Sequence, residues 1–451
     1  MTKRRDFIKK SVLGTAGIAI GGLSFSRSSY NAIIGSNNRI NVAVIGIRSQ
    51  GGTHINSFCG LKDTMNVKLK TLCDADEQFF APNVKTVESL TGEKPLTEWD
   101  MRRVFDDKEI DAVSFATPDH WHALGTIWAC QAGKHVYVEK PASHTLFEGR
   151  KMIEAAKKYK VRMQTGLMNR SIPQVMAAMK FLHDGGIGEV FMAKGLCYKP
   201  RDSFGISKEG NPPDSLHYDQ WLGPAPWRSY NEKHVHYNWH WFWATGGGDA
   251  ANQGPHQFDI ARWGMGKNEH PVKIYSMGGL YGINPAECEQ ETPNTLTSVF
   301  KYSDGKILEF ETRGRYTNGE SSLDVRIGNI FYGTEGYLEL DGDRWRAFRH
   351  RETKPFTGSD TSEKSTDVMT PPGGPNHYAN FIDAIRSGKD EGLHCHITEG
   401  HLSSSLPMLG NISYLTGREL TFDGAKEKFV KDTEADTLLT REYRKPFVLP
   451  G

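Results

Sequence analysis

The sequence predicts an α/β fold: a doubly wound parallel sheet, followed by an α+β domain with a large, mostly antiparallel open sheet. Between residues 38 and 166, short apolar strand patterns alternate with helical patterns, which is typical of a parallel sheet covered by helices. A Gly-rich turn directly follows the first of these strands. From about 270 to 345, short β-type runs follow one another instead, which predicts antiparallel pairing with one helix-covered face.

The composition is that of a globular protein with two or three domains. The chain has 451 residues, of which 37% are hydrophobic and 24% charged. Its formal net charge of +1 gives no overall field that would attract nucleic acid, so no nucleic-acid partner is expected. We predict a signal at 1–30, a doubly wound domain at 38–166, an α+β domain at 167–375, and C-terminal helices and a tail at 376–451 that pack back on both domains.

The first 30 residues are predicted to be a targeting segment rather than part of the fold. Arg4-Arg5, followed by Phe7-Ile8-Lys9, resembles a twin-arginine export signal. The apolar run from Val12 to Phe25 is short and Gly-rich for a membrane span. We therefore expect a periplasmic protein that is exported folded and has no membrane span. An uncleaved anchor and a chance basic stretch are the alternatives.

No metal site is expected. The six cysteines are scattered without a Cys-x-x-Cys pair, so they predict neither a zinc site nor a readable disulfide framework. His234, His236 and His240 lie close together in the sequence, but their spacing is not that of a recognised ligand pattern.

The first strand, turn and helix have the order that a dinucleotide-binding loop requires. The apolar strand Ile40–Ile45 runs into Gly46-Ile47-Arg48, and a helix follows Gly51. Gly46 permits the tight turn, Gly51 lets the helix approach the strand, and the helix N-terminus faces a pyrophosphate. Arg48 stands where the middle glycine is usual, so it could contact a phosphate or shift the cofactor. The residues of this loop that are predicted to bind the cofactor are Gly46, Ile47, Arg48 and Gly51.

The second strand, Val67 to Cys73, ends at an acid, Asp74. A carboxylate at this point can accept hydrogen bonds from the adenosine ribose hydroxyls and would repel a 2′-phosphate. Asp74 is therefore predicted to bind NAD in preference to NADP. The alternative is that Asp74 caps the following helix.

Two later strands end in polar residues at the edge of the sheet where ligands bind. The strand Asp111–Ala116 ends at Thr117-Pro118, and Val136–Val138 ends at Glu139-Lys140-Pro141. A lysine held at this edge could bond a substrate hydroxyl and help to move its proton. Taken alone, Glu139-Lys140 could also be a surface pair that ends a strand. A helix over Leu146–Tyr159 and a last strand over 161–166 complete the predicted sheet.

The blocks Ala-Thr-Pro-Asp-His-Trp-His (116–122) and Ala-Gly-Lys-His-Val-Tyr-Val-Glu-Lys-Pro (132–141) resemble the Gfo/Idh/MocA oxidoreductases. The resemblance covers nearly all of the chain after the export signal and implies NAD or NADP binding in the first domain. It implies that Lys140 contacts the nicotinamide ribose and the reacting hydroxyl, and that Glu139 and His122 line the nicotinamide side. The predicted cofactor site also includes Thr117, Pro118 and Asn169.

A long irregular stretch, about 200–245, is rich in Pro, Trp and His. A loop of this length in a compact domain is usually functional, and aromatic faces stack on sugar rings. Trp239, His240 and Trp243 are therefore predicted to contact the substrate, together with Arg170. The alternative is a loop cluster that packs on itself.

A second chemical centre follows the Gly-rich turn at 246–248. Asn252, His256 and Asp259 are spaced i, i+4 and i+7, which places them on one face of a predicted helix. His256 is predicted to take the hydroxyl proton, because the pKa of histidine lies near working pH. In the resembled family an Asp stands where this chain has Asn252, which is predicted to be catalytic and to contact the substrate together with His256. The alternative is a satisfied core histidine.

We expect an NAD(P)-dependent enzyme that transfers hydride from a secondary hydroxyl of a sugar or glycoside to a tightly bound nicotinamide cofactor. One alternative is an NAD-dependent glycoside hydrolase that works by oxidation, elimination, addition and reduction. A second is a non-catalytic sugar-binding protein, which the presence of Lys140 and His256 disfavours. The resemblance also implies a homo-oligomer, a dimer or tetramer, assembled through the antiparallel sheet.

Overall fold

In the computed structural model, residues 38–359 and 377–450 are described, and the predicted export signal lies outside them. The first sheet has six strands, all parallel, in the spatial order 3-2-1-4-5-6. The strands are β1 (Ile40–Ile45), β2 (Val67–Cys73), β3 (Leu96–Glu98), β4 (Ala112–Phe115), β5 (His135–Val138) and β6 (Met163–Thr165).

Helices cover both faces of this sheet, because its central strands are apolar on both sides. They are α1 (Gln50–Gly60), α2 (Lys62–Met65), α3 (Phe80–Thr91), α4 (Met101–Asp106), α5 (Asp119–Gln131) and α6 (Leu146–Tyr159). The bounds of α6 agree with the prediction, since Thr145 and Glu148 form a reciprocal capping box at its start. Strand β3 was missed, because its three residues are largely exposed and carry no apolar run.

The second sheet has ten strands in the order 14-13-12-11-7-10-9-8-15-16. Strands 7 and 10 pair in parallel and the other named pairs are antiparallel, which confirms the predicted fold class. The strands are β7 (Val190–Cys197), β8 (Lys273–Gly279), β9 (Thr295–Lys301), β10 (Ile307–Arg313), β11 (Ile327–Gly333), β12 (Gly336–Asp341), β13 (Arg344–Arg349), β14 (Thr357–Gly358), β15 (Leu420–Asp423) and β16 (Lys428–Phe429).

Helices pack on one face of the second sheet, and its core is rich in phenylalanine. The ring centroids of Phe258 and Phe310 lie 4.5 Å apart, and Phe300 meets Phe258 edge to face. Burying each such ring contributes roughly 1.5–3 kcal/mol. The remaining helices are α7 (Pro173–His183), α8 (Tyr218–Leu222), α9 (Gly248–Asn252), α10 (Gly254–Gly264), α11 (His377–Ser387), α12 (Ile397–Thr416) and α13 (Thr433–Thr437).

Two sequence predictions need correction here. The single helix expected to carry Asn252, His256 and Asp259 is two helices that meet at Gln253. Pro255 lies in the first turn of α10, where its missing N–H is tolerated and a new helix can begin. The C-terminal segment, which was predicted to be helices and a tail, also contains strands: β15 pairs with β8 and extends the second sheet.

The C-terminal helices contact both sheets. Tyr378, Phe381 and Ile382 of α11 pack against the core of the first sheet, whereas α12 contacts both β6 and β8. In the part of the chain that the structure describes, no helix combines the length and the hydrophobicity needed to cross a bilayer.

Candidate functional site

A cavity of about 440 Å³ opens at the carboxyl edge of the first sheet and extends to the junction of α9 and α10. Its wall brings together most of the predicted site residues, namely Gly46, Arg48, Asp74, Thr117, Pro118, His122, Glu139, Lys140, Trp239, His240, Asn252 and His256. It does not include Ile47, Gly51, Asn169, Arg170 or Trp243.

One end of the cavity, which we call the nucleotide end, is shaped by two glycines. Gly46 has φ +80°, and a Cβ there would lie 2.7 Å from the carbonyl carbon of Ala116. A Cβ on Gly51 would lie 2.0 Å from the Gly46 carbonyl oxygen, so α1 approaches the strand as closely as the sequence predicted. Arg48 stands in the wall, with its guanidinium carbon 6.0 Å from the centre of the Phe79 ring.

Asp74 lies at the tip of β2, in the wall of the nucleotide end. One carboxylate oxygen accepts a hydrogen bond from the Ile47 N–H (2.8 Å) and the other from the Asp76 N–H (2.9 Å). Burial raises the pKa of Asp74 to about 6. The residue that caps the next helical turn is Asp76, which accepts from the Gln78 N–H, so the capping alternative for Asp74 does not hold.

Glu139 is a buried carboxylate held between the two ends of the cavity. It accepts a hydrogen bond from Gln50 (3.0 Å) and lies 3.1 Å from His54 Nε2. Burial raises the pKa of Glu139, but the His54 contact and the charge of Lys140 outweigh it and lower the pKa to about 2. His54 in turn meets Ser114 Oγ at 2.7 Å. The sequence analysis missed His54, although it lies one helical turn after Gln50 on α1.

The Lys140 side chain connects the first domain to α9. Its Nζ donates a hydrogen bond to the backbone carbonyl of Asn252 (2.8 Å). The lysine therefore reaches across the cavity towards the second predicted centre. The Asn252 side chain lines the same wall and has no hydrogen-bond partner among residues 38–359 and 377–450.

His122 is fixed by backbone carbonyls on both sides of its ring. Nδ1 lies 2.7 Å from the Pro141 carbonyl oxygen, and Nε2 lies 2.9 Å from that of Thr117. Burial lowers its pKa. His122 lines the cavity, and its nitrogens hold the ends of β4 and β5 in position.

His256 has both ring nitrogens without a hydrogen-bond partner in the described part of the chain, and its Nδ1 is fully buried. The residue is 8% exposed. Burial, helped by the nearby charge of Lys140, lowers its pKa to about 3. The imidazole is therefore neutral near pH 7 and has a free nitrogen that can accept a hydrogen bond. This pKa lies far below the value near working pH on which the predicted base role rested, so in this structure His256 is a weaker base than the sequence predicted.

Asp259 and Arg170 form a buried ion pair instead of facing the cavity. The Arg170 guanidinium donates to both Asp259 oxygens (2.8–3.0 Å) and also reaches Glu399 (3.1 Å). Ser403 Oγ donates to Asp259 as well. Because Asp259 is 1% exposed, its charge requires such a partner. Arg170 is therefore engaged by Asp259 and Glu399 and is not part of the cavity wall, and its substrate contact stays a prediction.

Two other predicted site residues, Asn169 and Trp243, are not in the cavity wall. Asn169 is buried, and its neighbour Met168 lines the cavity in its place. The backbone N–H of Trp243 donates to Glu291 (2.8 Å), and its ring centroid lies 6.4 Å from that of Tyr414. Trp239 and His240 do line the wall, with ring centroids 3.6 Å apart in a stacked arrangement. Burial lowers the pKa of His240 to about 3.

The end of the cavity around Lys140 and His256, which we call the substrate end, contains two cations that the sequence analysis missed. Lys199 and Arg201 lie just beyond the carboxyl end of β7 and line the wall with Gln253. Lys199 Nζ donates to Gln253 Oε1 (2.6 Å), and Arg201 pairs with Asp249 (2.8–3.0 Å). Their position after a strand was the available signal, but nothing in the sequence placed β7 beside α9.

One group of described side chains could converge on a metal ion, and it lies away from this cavity. His270, His401 and Glu427 each offer a ligand atom within 4.8 Å of the others. Both histidines contact the same Glu427 oxygen (3.1 and 2.8 Å), and Arg150 pairs with that carboxylate. These contacts engage the Glu427 carboxylate without an ion, whereas the buried Nδ1 of His270 has no hydrogen-bond partner among the described residues.

Comparisons with known proteins agree with this architecture. Residues 40–167 match the NAD-binding Rossmann fold of the Gfo/Idh/MocA oxidoreductase family, and residues 205–321 and 351–449 match its C-terminal alpha/beta domain. The WlbA dehydrogenase from Bordetella pertussis, solved with NADH and UDP-GlcNAcA, superimposes with a TM-score of 0.63 at 18% identity. The match covers 85% of this chain and 99% of that one, and at this identity it shows the fold alone.

Two curated relatives are similar over shorter segments. A levoglucosan dehydrogenase from Pseudarthrobacter phenanthrenivorans is 35% identical over 103 residues, 23% of this chain and 26% of that protein. A glycosyl hydrolase family 109 protein from Shewanella pealeana is 28% identical over 171 residues, 34% of this chain and 37% of that protein. The chain thus matches well under half the length of either relative. The two domain matches together span most of the chain, which therefore belongs to the Gfo/Idh/MocA oxidoreductase family.

Proposed function

We propose that the protein is an NAD-dependent oxidoreductase that oxidises a secondary hydroxyl of a sugar or glycoside. The observation that carries the proposal is the substrate end of the cavity. There Lys140, hydrogen-bonded to the Asn252 carbonyl, shares one wall with an unpartnered, neutral His256. The similarity of the chain to a levoglucosan dehydrogenase supports a sugar as the substrate.

The residues of the nucleotide end fit NAD. The glycine cradle at Gly46 and Gly51 has no room for side chains, and the N-terminus of α1 faces the same cavity, as pyrophosphate binding requires. The Asp74 carboxylate could accept ribose hydroxyls and would repel a 2′-phosphate, which supports NAD over NADP. When bound, NAD supplies a hydride acceptor.

The chain's own residues handle the hydroxyl proton. Oxidation of an alcohol removes a proton from oxygen and a hydride from carbon. The Lys140 ammonium would donate a hydrogen bond to the reacting oxygen and stabilise the negative charge that develops there. The free nitrogen of His256 would accept the proton. The Asn252 amide and the Trp239 ring would hold the sugar.

A second candidate function is glycoside hydrolysis through transient oxidation, elimination, addition of water and reduction. The similarity to glycosyl hydrolase family 109 proteins fits this alternative. The same Lys140 and His256 would serve its first step. A non-catalytic sugar-binding role is disfavoured, because both groups are retained in the cavity.

We also propose a periplasmic location after twin-arginine export, and a homo-oligomer. The export proposal rests on Arg4-Arg5 and the residues that follow them. The oligomer proposal is supported by the uncovered face of the second sheet, where Tyr275 is 41%, Met277 62% and Val299 38% exposed. Light scattering on the purified protein would test the oligomer, and fractionation of cells would test the location.

The decisive experiment starts from protein purified without added nucleotide. The protein is denatured, and mass spectrometry of the released material identifies any bound cofactor and measures the fraction of sites that it occupies. Near-stoichiometric NAD(H) would mean a resident cofactor and direct the search towards keto-sugars and cleaved aglycones. An empty site that reduces added NAD with a sugar would mean a freely exchanging dehydrogenase. A protein that neither contains nor binds NAD(H) would refute both enzymatic functions.

A further inference from the structure

We propose that the sugar substrate carries a carboxylate, and that Lys199 is the residue that selects it. This inference rests on the proposed sugar oxidoreductase function and specifies its substrate class. The feature that points to it is an unmatched positive charge in the wall of the substrate end.

Lys199 lacks a carboxylate partner. Among the described residues its Nζ forms no ion pair within 4.0 Å, and its hydrogen bond goes to a neutral amide oxygen, Gln253 Oε1 (2.6 Å). Burial lowers the pKa of Lys199, which indicates that water compensates its charge incompletely. An ammonium group in such a place gains from an anionic ligand.

The neighbouring charges do not supply that anion. Asp249 is already engaged with Arg201 through two hydrogen bonds of 3.0 and 2.8 Å. Asp119 also lines the wall, but it forms no ion pair with Lys199 within 4.0 Å, and burial raises its pKa well above its usual range. Glu139 is already held by His54 (3.1 Å) and Gln50 (3.0 Å).

The position of Lys199 ties the anion to the reacting part of the sugar. Its partner Gln253 directly follows Asn252, whose carbonyl accepts from Lys140 Nζ (2.8 Å). The anionic group would therefore lie on the same sugar ring as the reacting hydroxyl, or on its immediate substituent. The unmatched charge is a single one, because Lys140 is committed to the reacting oxygen and Arg201 to Asp249. A monoanion such as a carboxylate fits one unmatched charge better than a dianionic phosphate does.

The test compares ligands that differ only in charge. NAD reduction by the full-length protein is measured with a methyl glycoside, its uronic acid, its uronamide and its 6-phosphate. The uronamide has the shape of the uronic acid without its charge. We expect kcat/KM for the uronic acid to exceed that for the uronamide by about tenfold or more, the effect of one charge-assisted hydrogen bond. The phosphate is expected to fall below the uronic acid.

The matched variants are Lys199→Met and, as a control, Lys208→Met, since Lys208 is exposed on the following loop. Lys199→Met should raise KM for the uronic acid about tenfold or more, with little change in kcat, in the uronamide rate or in NADH affinity. Lys208→Met should change none of these. A loss of the uronic acid and uronamide activities in equal measure would mean that Lys199 has a structural or catalytic role and would overturn the proposal.

The failure of this proposal can be separated from that of the proposed function. If neutral sugars are oxidised with the same kcat/KM as the uronic acid, the carboxylate proposal is wrong and the proposed dehydrogenase function is unaffected. If the phosphate is strongly preferred, the anion is a phosphate and the carboxylate is wrong. If no sugar is oxidised, the proposed function is in question. Calorimetric titration of the uronic acid and of the uronamide into the NADH-bound protein then tests the role of Lys199 without relying on turnover. Equal binding of the two would overturn the role of Lys199.

Discussion

The two ends of the cavity are built in different ways. At the nucleotide end the shape comes from backbone: a positive φ at Gly46, a glycine contact at Gly51, and a carboxylate held by backbone N–H groups. At the substrate end the wall is made of side chains from several distant segments, including Lys140, Lys199, Trp239 and His256. Backbone shape suits a constant ligand, whereas side chains can change one at a time, so we expect the first end to set cofactor specificity and the second to set substrate specificity.

This contrast predicts that substitutions at the substrate end change chemistry without changing nucleotide binding. The largest effect is expected for Lys140→Met. Loss of its ammonium removes the group that stabilises the developing charge, and kcat should fall about 10²–10⁴-fold. The dissociation constant for NADH, measured by fluorescence, should rise by no more than about tenfold, the effect of losing the one nicotinamide ribose contact implied for Lys140. Lys157→Met, on the exposed side of α6, is the matched control. A comparable loss of NADH affinity would show that the two ends are not separable at this residue.

At the nucleotide end, Asp74→Ala should change cofactor choice and leave sugar choice intact. Without the carboxylate the ribose loses a charged hydrogen-bond acceptor, so NAD affinity should fall about 10–150-fold. NADP should lose much less or gain, because the repulsion of its 2′-phosphate is removed. Steady-state kinetics with both cofactors at one saturating sugar concentration measure the ratio, with Asp106→Ala as a surface control. An unchanged NAD/NADP ratio would remove Asp74 from the cofactor site.

Gly51 and Gly52 are adjacent, and comparing them tests whether close backbone contact shapes the nucleotide end. A Cβ at Gly51 would meet the Gly46 carbonyl oxygen at 2.0 Å, whereas a Cβ at Gly52 would meet nothing within 4 Å. Gly51→Ala should therefore lower the free energy of unfolding by about 1–3 kcal/mol and weaken NADH binding. Gly52→Ala should be neutral or stabilise the helix by roughly 0.5–1 kcal/mol. Thermal unfolding and NADH titration on both proteins check this, and equal behaviour would contradict it.

The last prediction is a pH dependence of stability that arises from two histidines at the substrate end, His240 and His256. His240 and His256 have folded-state pKa values of about 3 because of burial, below the value near 6.5 expected in the unfolded chain. Below pH 6.5 the unfolded chain therefore binds protons that the folded chain does not. The free energy of unfolding should fall as the pH drops from about 6.5 towards 3, each histidine contributing up to about 1.4 kcal/mol per pH unit.

Urea unfolding at several pH values measures that slope. His256→Asn should make the slope shallower, since the variant has one titrating group fewer, whereas substitution of the exposed His183 should not. The same shift predicts that kcat/KM has no inflection near pH 6.5 attributable to His256. An inflection that vanishes in His256→Asn would mean that its pKa is close to the ordinary value.

The difference between the two ends also explains what the sequence could predict. The strand, turn and helix at 40–60 are local, so Gly46, Gly51 and Asp74 could be placed from their order alone. The bounds of α6 followed from its apolar periodicity, and the local capping box at Thr145 fixes its start in the structure. The partners of Lys199, Arg170 and Asp259 could not be inferred, because they depend on pairing between segments far apart in the chain. Local spacing also missed the break at Gln253, which separates Asn252 from the helix that carries His256.

The hydrogen bond between Lys140 and position 252 has a consequence for how such a protein can diversify. The lysine is anchored by a main-chain carbonyl, which every amino acid at that position provides. The side chain at 252 can therefore be exchanged without releasing Lys140. Asn252 is for that reason a suitable position to randomise when retuning sugar preference by laboratory evolution, with the proton-handling lysine kept in place.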